Sequence, residues 1–130
     1  MADTEKITIN LSVVDLGRID LLAEQGFYST RTDFIRTAVR NQLVRHEQDI
    51  QGTVTRKSII AGVVLYGPKG LETKRQNNEM VEINVMGMLV LSDDITPELA
   101  RATIASIKCF GVFKASAEIK EALKDRIDHN

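Results

Sequence analysis

The sequence has little of several residue types, and each shortage excludes a class of protein. Its 130 residues contain no tryptophan, two prolines, two histidines and a single cysteine, Cys109. One cysteine cannot form a disulfide within the chain, and the apolar neighbours of Cys109 indicate a buried thiol in a reduced compartment. The sequence has no hydrophobic run of membrane-spanning length and no signal-peptide pattern, so we expect a cytoplasmic protein that does not enter membranes.

The sequence also lacks groups of residues that could form a catalytic, metal or cofactor site. His46 lies on a polar tail and His129 lies at the terminus, positions that favour solvated side chains over metal ligands. The sequence has no cysteine pair, no phosphate-binding loop and no dinucleotide-binding fingerprint. We therefore expect no catalytic site, no metal and no cofactor, and an enzyme that binds a small molecule stays open only for the unrecognised C-terminal half.

What is present is a globular composition with balanced charge. Hydrophobic residues make up 43% of the chain, and 17 Lys and Arg oppose 18 Asp and Glu. Residues 1–50 carry six basic and eight acidic side chains, a net charge of −2. Cations that neutralise phosphates supply most of the affinity for nucleic acids, so a DNA-binding module is usually basic. If this half binds DNA, several dimers must act together; the alternative is that it only dimerises.

The most informative pattern lies at residues 5–43. In residues 5–12, the apolar side chains of Ile7, Ile9 and Leu11 alternate with polar ones, which is the period of a half-buried strand. A lone strand cannot satisfy its backbone hydrogen bonds, and the next segment is helical. The simplest partner is the same strand in a second chain, so the sequence predicts a homodimer.

Two helical patterns follow the predicted strand. Ser12 with Asp15 predicts a capped start for the first helix, which should end near the glycine at position 26. Thr30 with Asp33 predicts a capped start for the second helix, with apolar residues at helical spacing beyond it. We expect this second helix to extend toward residue 51 before Gly52 ends it.

The second helical pattern also carries a family resemblance. Its residues read GFYSTRTDFIRTAVRNQL, with a glycine, an aromatic residue and a hydroxyl cap ahead of Arg-Thr-Asp and Phe-Ile-Arg. Together with the strand, this resembles the ribbon-helix-helix DNA-binding proteins, the Arc and MetJ type of repressor, over about a third of the chain. In that family two chains pair their N-terminal strands and lay the ribbon in the major groove of double-stranded DNA.

The resemblance implies two sets of DNA contacts. The outward-facing strand residues that match the base-contacting positions are Lys6, Thr8 and Asn10. The residues that match the phosphate-binding helix N-terminus are Thr30, Arg31 and Thr32. Side-chain chemistry agrees, because Asn pairs with adenine, Lys pairs with guanine, and free amides at a helix N-terminus bind anions. A capping role alone explains Thr30 but leaves the polar strand face unexplained.

The remaining residues, 53–130, read as a small α/β module, so we predict an α+β chain with domains at 1–51 and 53–130. The polar segment 70–79 is expected to be an exposed loop, and the strand at 80–91 is expected to be buried on both faces. The other predicted elements are a strand at 58–66, a turn at 67–70, a helix from Thr96 to Ile107, a strand at 109–115 and a last helix from Ser116 that carries Ile127.

Two pieces of this module match at a spacing of 24 residues. Residues 83–89 align with 107–113, which matches Gly87 with Gly111, and a looser copy centres on Gly62. Strand–helix–strand repeats give neighbouring parallel strands, and the glycines mark bulges or close backbone approach.

Such a sheet leaves apolar residues that its two predicted helices cannot cover, namely Met86, Met88, Val90, Phe110 and Val112. A further subunit or the module's own first strand is expected to cover them, and a third possibility is that the methionines line a ligand pocket.

Two functions follow from these patterns. The first is a sequence-specific DNA-binding transcriptional regulator, a repressor, that acts as a homo-oligomer whose C-terminal module links dimers or senses a ligand. The nickel-responsive repressors of the resembled family carry a histidine-rich sensor domain, which this sequence lacks, so a metal sensor is disfavoured. The second is an interaction protein in which the ribbon serves only for dimerisation, such as an antitoxin-like partner or a self-assembling scaffold.

Overall fold

A computed structural model of the chain describes residues 4–128. The chain divides into two compact units, Met1–Gln51 and Gly52–Asn130, which are described separately. Both helices and strands are present, in agreement with the predicted α+β class. The second histidine, His129, lies outside the described residues.

Helix α1 of the first unit begins and ends where the sequence predicts. It spans Val13–Glu24, and the Ser12 hydroxyl oxygen accepts a hydrogen bond from the Asp15 amide at 3.1 Å. This bond satisfies an amide that has no carbonyl partner inside the helix. The chain then turns through Gly26 at φ +86°, a left-handed conformation that favours glycine.

Helix α2 also has the predicted capped start. It spans Arg31–Arg45, and the Thr30 hydroxyl oxygen accepts a hydrogen bond from the Asp33 amide at 3.0 Å. The Asp33 carboxylate accepts in turn from the Ser29 amide at 3.0 Å and from the Ser29 hydroxyl at 3.2 Å. These reciprocal bonds fix the entry of the chain into the helix.

The prediction that Gly52 ends the second helix is wrong. Helix α2 ends at Arg45, His46 leaves the helical region at φ −101° and ψ 12°, and a new helix, α3, spans Glu47–Arg56. Gly52 lies inside α3 without a left-handed φ. An interior glycine lowers helix stability by only about 1 kcal/mol relative to alanine, so the helix continues through it and includes residues 53–56.

Through residue 128, the second unit is a parallel sheet of four strands with a helix after each of the first three. The strands are β1 (Ile60–Tyr66), β2 (Val81–Leu91), β3 (Ile104–Lys114) and β4 (Ile127–Asp128), and the helices are α4 (Pro68–Gln76), α5 (Pro97–Thr103) and α6 (Ala117–Ala122). The strands lie in chain order, each paired with the next. The parallel pair predicted from the repeat is therefore present as β2 and β3.

The hydrophobic core lies between one face of this sheet and its helices. Alternate residues of β2 point into the core and are at most 2% exposed, namely Ile83, Val85, Leu89 and Leu91. Each helix adds buried side chains to the same cluster, including Leu71 of α4, Leu99 of α5 and Ile119 of α6. Because all three helices share one cluster, they cover the same face of the sheet.

The segment predicted to be an exposed loop at 70–79 instead forms most of α4. Pro68 occupies the first turn of this helix, where its missing N–H costs no hydrogen bond. Leu71 is 1% exposed, and the residues after it are polar and mostly exposed. One apolar anchor is thus enough to hold a short polar helix against the sheet.

Two other boundaries in this unit differ from the predictions. Helix α5 ends at Thr103, and the residues predicted to continue it to Ile107 belong to β3, in which Ile104 and Ile107 are fully buried. Branched side chains at these positions favour a strand because it buries them without crowding a preceding turn. Ile127 lies on β4 rather than on the last helix, although Ser116 caps α6 as predicted.

Three glycines occupy one register position across the sheet. Gly62 of β1 pairs with Gly87 of β2, which pairs with Gly111 of β3, and all three have φ between +125° and +139°. A Cβ at Gly87 would collide with the carbonyl oxygen of Gly62, and a Cβ at Gly111 would collide with that of Gly87. The predicted close backbone approach is confirmed, and the looser copy at Gly62 belongs to the repeat.

The prediction that β2 is buried on both faces is wrong for a single chain. On the face opposite the helices, Met86, Val90, Phe110 and Val112 are half-buried and only Met88 is buried. The first strand of the unit lies beside β2 within the sheet, so it does not cover this face. Cys109 packs against the core on the helix side, where partial burial raises the pKa of its thiol.

Candidate nucleic-acid interface

The segment ahead of α1 has no hydrogen-bonded partner strand within the described chain. Residues 4–12 carry no regular secondary structure, so the predicted strand is not formed in a single chain. Its apolar side chains face solvent, with Ile7 79% and Ile9 58% exposed. The polar residues between them, Lys6, Thr8 and Asn10, are exposed as well. A strand at this position still requires a second chain and stays a prediction.

The helices of the first unit also leave most of their apolar side chains uncovered. Ile19 is the one residue of the described part of this unit that is buried, at 7% exposure. Large apolar side chains that remain exposed are Val13, Val14, Leu21, Phe27, Val39, Leu43 and Val44. Isolated exposed apolar residues are normal, but a whole unit without a core is not. The unit is therefore incomplete as a single chain.

A small aromatic contact holds the connection between α1 and α2. The rings of Tyr28 and Phe34 meet edge to face, with centroids 4.9 Å apart and planes at 81°. This geometry is favourable for aromatic pairs and adds to the Thr30 cap in fixing the N-terminus of α2. The residues at that N-terminus, Arg31 and Thr32, are exposed to solvent.

One of the residues predicted to bind phosphate, Arg31, lies beside an acidic side chain, Asp20. The Arg31 guanidinium donates two hydrogen bonds to the Asp20 carboxylate, from Nη2 to Oδ2 at 2.8 Å and from Nε to Oδ1 at 3.2 Å. This contact raises the pKa of Arg31 further above its ordinary value, first through the hydrogen bonds and then through the charge of Asp20. Arg31 therefore holds the bidentate geometry with a carboxylate that it would use with a phosphate.

The partner of Arg31, Asp20, could not be predicted from the sequence, because no local signal identifies it. It lies eleven positions before Arg31, on the other helix, so the pair depends on how α1 and α2 pack. Thr30 has a definite structural role as the cap, and the structure assigns no comparable role to Thr32. In a single chain, the predicted base-contacting residues of the N-terminal segment and the predicted phosphate-binding residues of α2 do not come together in one site.

Other kinds of site find little support in the described chain. Within residues 4–128, no three His, Cys, Asp or Glu side chains converge as a metal site would require. His46 lies 3.4 Å from a carboxylate oxygen of Asp49 and 3.4 Å from the amide nitrogen of Gln42, all on an exposed surface. No helix of the described part is long and apolar enough to cross a bilayer.

An alternating segment followed by two capped helices, with their apolar side chains unburied in one chain, is the arrangement of ribbon-helix-helix DNA-binding regulators. The chain belongs to the Ribbon-Helix-Helix transcriptional regulator family, whose sequence profile matches residues 2–120. The match extends well beyond the N-terminal third and includes most of the parallel sheet. Comparison with curated proteins and with solved structures gave no match.

Proposed function

We propose that the protein is a sequence-specific DNA-binding repressor that acts as a homo-oligomer. Two chains pair their N-terminal segments through Lys6–Leu11 into an antiparallel ribbon that enters the major groove. The second unit then links such dimers so that several bind one stretch of DNA. Members of this family generally bind DNA and dimerise, and the proposal adds the residues and the assembly.

The exposure of the apolar side of the N-terminal segment carries this proposal. Ile7 and Ile9 are more than half exposed in one chain, although burying such side chains is worth roughly 1.5–3 kcal/mol each. Pairing with a second chain would bury them on one side of the ribbon. The polar residues of the other side would then face outward, where they can contact DNA.

Lys6, Thr8 and Asn10 are the proposed base contacts, and Thr30, Arg31 and Thr32 are the proposed phosphate contacts. Asn and Lys carry donors that fit the major-groove edges of adenine and guanine. The first amides of α2, which point out of its N-terminus, favour an anion, and this effect is strongest within the first turn. The Thr30 oxygen already serves as a cap, so its contribution to phosphate binding is through its hydroxyl hydrogen.

The low charge of the first unit is the reason for proposing linked dimers. Its net charge of −2 over residues 1–50 gives little non-specific attraction to DNA. Two dimers held together bind paired sites more tightly than either dimer alone, because the second binding event becomes intramolecular. The second unit is the available link, since the first is occupied by the ribbon.

Paired substitutions test the two sets of contacts. Asn10→Ala should weaken binding to the preferred duplex by about 1–3 kcal/mol and change binding to a scrambled duplex little. Arg31→Ala should weaken binding to both duplexes alike and reduce the slope of log affinity against log salt by about one unit per neutralised phosphate, up to about two in a dimer. The measurement is fluorescence anisotropy at several salt concentrations.

Matched controls come from the far end of α2. Asn41→Ala and Arg45→Ala remove the same side-chain types from exposed positions of this helix. Both should bind like the parent protein. If neither Asn10→Ala nor Arg31→Ala changes binding to any duplex, neither the ribbon nor the start of α2 contacts DNA through these residues.

The acidic first unit favours one alternative, a dimerising interaction protein such as an antitoxin-like partner or a self-assembling scaffold. The repeated strand–helix pattern of the second unit supports it, because repeat units present extended surfaces to partners. In this alternative the parent protein binds preferred and scrambled duplexes equally weakly, and its binding disappears at moderate salt.

A further inference from the structure

Strand β1 forms an edge of the sheet in the second unit. It pairs with β2 on one side, and no strand of the described chain pairs with it on the other. One row of its backbone N–H and C=O groups is therefore without a strand partner. Proteins usually protect such edges with charged side chains, prolines, bulges or a covering segment, because an open edge pairs readily with another strand.

None of the usual protective side chains occurs on β1. Its seven residues, Ile60–Tyr66, read IAGVVLY and include no charge and no proline. Three of its aliphatic side chains are about half exposed or more, with Ile60 at 54%, Val63 at 48% and Leu65 at 71%. The strand is long, apolar and uncovered, which is the combination that favours pairing with another chain.

The opposite edge of the sheet is protected over part of its length. Strand β4 pairs with the start of β3, at Ile107 and Lys108. Lys108 forms an ion pair with Asp128 of β4, with Nζ and Oδ2 2.8 Å apart, and Lys114 lies at the other end of β3. A charge pair and a short covering strand therefore protect part of this edge, while residues 109–113 have no strand partner there in the described chain. Strand β1 has neither kind of protection anywhere along its length.

The repeated glycine position also occurs on the open edge, at Gly62 of β1. The space beside Gly87 is filled by the carbonyl of Gly62, and the space beside Gly111 is filled by the carbonyl of Gly87. The equivalent space beside Gly62 contains nothing within 4 Å, although this residue has the same left-handed φ of +128°. The edge at Gly62 therefore has free space at the position where Gly87 and Gly111 each accommodate the backbone carbonyl of a neighbouring strand.

We infer that β1 pairs antiparallel with β1 of a second copy of this chain, with Val63 of one copy opposite Val63 of the other. Val63 is the central residue of the seven, so this register pairs the strands along their whole length. A contact of a surface with itself about a two-fold axis closes, and it does not propagate into a fibre. The result is one continuous sheet that runs through two second units.

The partner that we infer for the edge of β1 is a second copy of the same chain. Members of this family dimerise, so a dimer carries two β1 strands, and pairing each with a β1 strand of a second dimer gives the link between dimers that is proposed above. Once the first pair has formed, the second forms within one assembly, at an effective concentration in the millimolar range for short links. A foreign peptide has no such advantage. The contact needs no DNA, so it stands or fails separately from the proposed repressor function.

Crosslinking of the full-length chain tests the contact and its register. In a Cys109→Ser background, Val63→Cys should be converted largely to a covalent two-chain species by a short bismaleimide. The matched control is Val112→Cys, which lies on the same sheet face at the same register but on β3. It should remain uncrosslinked. Equal crosslinking of both variants would mean that two open faces stack, and absence of crosslinking at Val63→Cys would mean that the edge is unpaired. Either result overturns the inference.

Amide hydrogen exchange gives a readout that does not depend on a new cysteine. In the parent protein, all amides of β1 should be protected, including the alternate ones that point away from β2. Val63→Lys places two like charges opposite each other, so those outward amides should lose protection while the amides of β2 remain protected. Protected β2 amides show that the variant is folded. Outward β1 amides that exchange freely in the parent protein overturn the inference.

Discussion

The ion pair between Arg31 and Asp20 controls how much positive charge the start of α2 presents. Both side chains are about half exposed, at 53% and 49%, and water screens ion pairs at such positions so that they contribute little to stability. The pair therefore does little to hold the unit together. For the proposed contact of Arg31 with DNA the pair matters more, because the carboxylate occupies the donors that a phosphate would use.

Removing this carboxylate should strengthen DNA binding. In Asp20→Asn, Arg31 loses its charged partner and keeps its position at the helix N-terminus. We expect tighter binding to every duplex with a salt slope close to that of the parent protein, because Arg31 then contacts the same phosphate without first giving up its ion pair. Fluorescence anisotropy against salt concentration measures both quantities.

Glu24→Gln provides the control for this prediction. It removes one negative charge from the same helix at an exposed position without releasing a guanidinium. It should change affinity slightly and leave the slope unchanged. An equal effect of the two variants would attribute the tighter binding to net charge and not to Arg31.

The helix caps and the partner of Arg31 show which properties of single residues can be predicted from a sequence. The caps at Ser12 and Thr30 were predicted correctly because a cap bonds an amide three positions ahead, within one turn. The partner of Arg31 was not predicted, because it depends on the packing of two helices. The assignments of Lys6, Thr8 and Asn10 rest on family resemblance, since side chains on an unpaired segment make no contacts that test them.

At the scale of elements, the N-terminal segment should decide whether the first unit folds. Ile9→Asp places a charge on the proposed buried side of the two-chain ribbon, at a cost of several kcal/mol. We expect loss of helical circular dichroism from the first unit and loss of the dimer in light scattering. Thr8→Asp changes the opposite side of the same segment and should keep both signals. A folded, monomeric Ile9→Asp protein would contradict this prediction.

The aligned glycines should decide the stability of the sheet. Gly87→Ala combines a left-handed φ of +139° with a collision against the Gly62 carbonyl, so we expect a loss of about 3 kcal/mol or more in the free energy of unfolding. Gly70→Ala lies within α4, with open space around it and no left-handed φ, and should be neutral or stabilising by up to about 1 kcal/mol. Urea unfolding followed by circular dichroism compares the two variants, and equal midpoints would show that the sheet tolerates a side chain at this position.

The predicted helices and strands were correct where many residues shared one pattern. They were wrong where the presence or the end of an element depended on a single residue. Strands β1, β2 and β3 were recognised from runs of branched and apolar residues. Helix α4 was missed because only Leu71 anchors it, and Gly52 was given a terminating role that its backbone does not require. The end of α5 was misplaced because its last apolar residues suit either a helix or a strand.

At the scale of the whole molecule, the second unit should raise the affinity for paired sites. A chain truncated after Lys57 retains all of α3 and the first unit, and we expect it to remain dimeric. On a duplex with two adjacent sites it should bind about 10²-fold to 10⁴-fold more weakly than the full chain, whereas on a single site the two should agree. Light scattering and anisotropy test this, and equal affinity on paired sites would contradict a linking role.

The architecture of the second unit was only partly predictable. The 24-residue match between residues 83–89 and 107–113 led correctly to parallel neighbouring strands. It did not reveal that all the helices lie on one face, because the number of covered faces depends on side chains contributed by three separate helices. The family match over residues 2–120 joins this unit to the ribbon-helix-helix segment, a connection that the first third alone did not provide.

The shared register of Gly62, Gly87 and Gly111 constrains how this protein can evolve in length. Successive glycines are 25 and 24 residues apart, and each must sit beside the carbonyl of the one before it. An insertion of a few residues inside a strand would move the glycine of that strand out of line with its neighbours, whereas a duplicated strand and helix would preserve the alignment. Relatives with longer or shorter sheets should therefore differ by whole repeats of about 24 residues, with smaller insertions confined to the connecting loops.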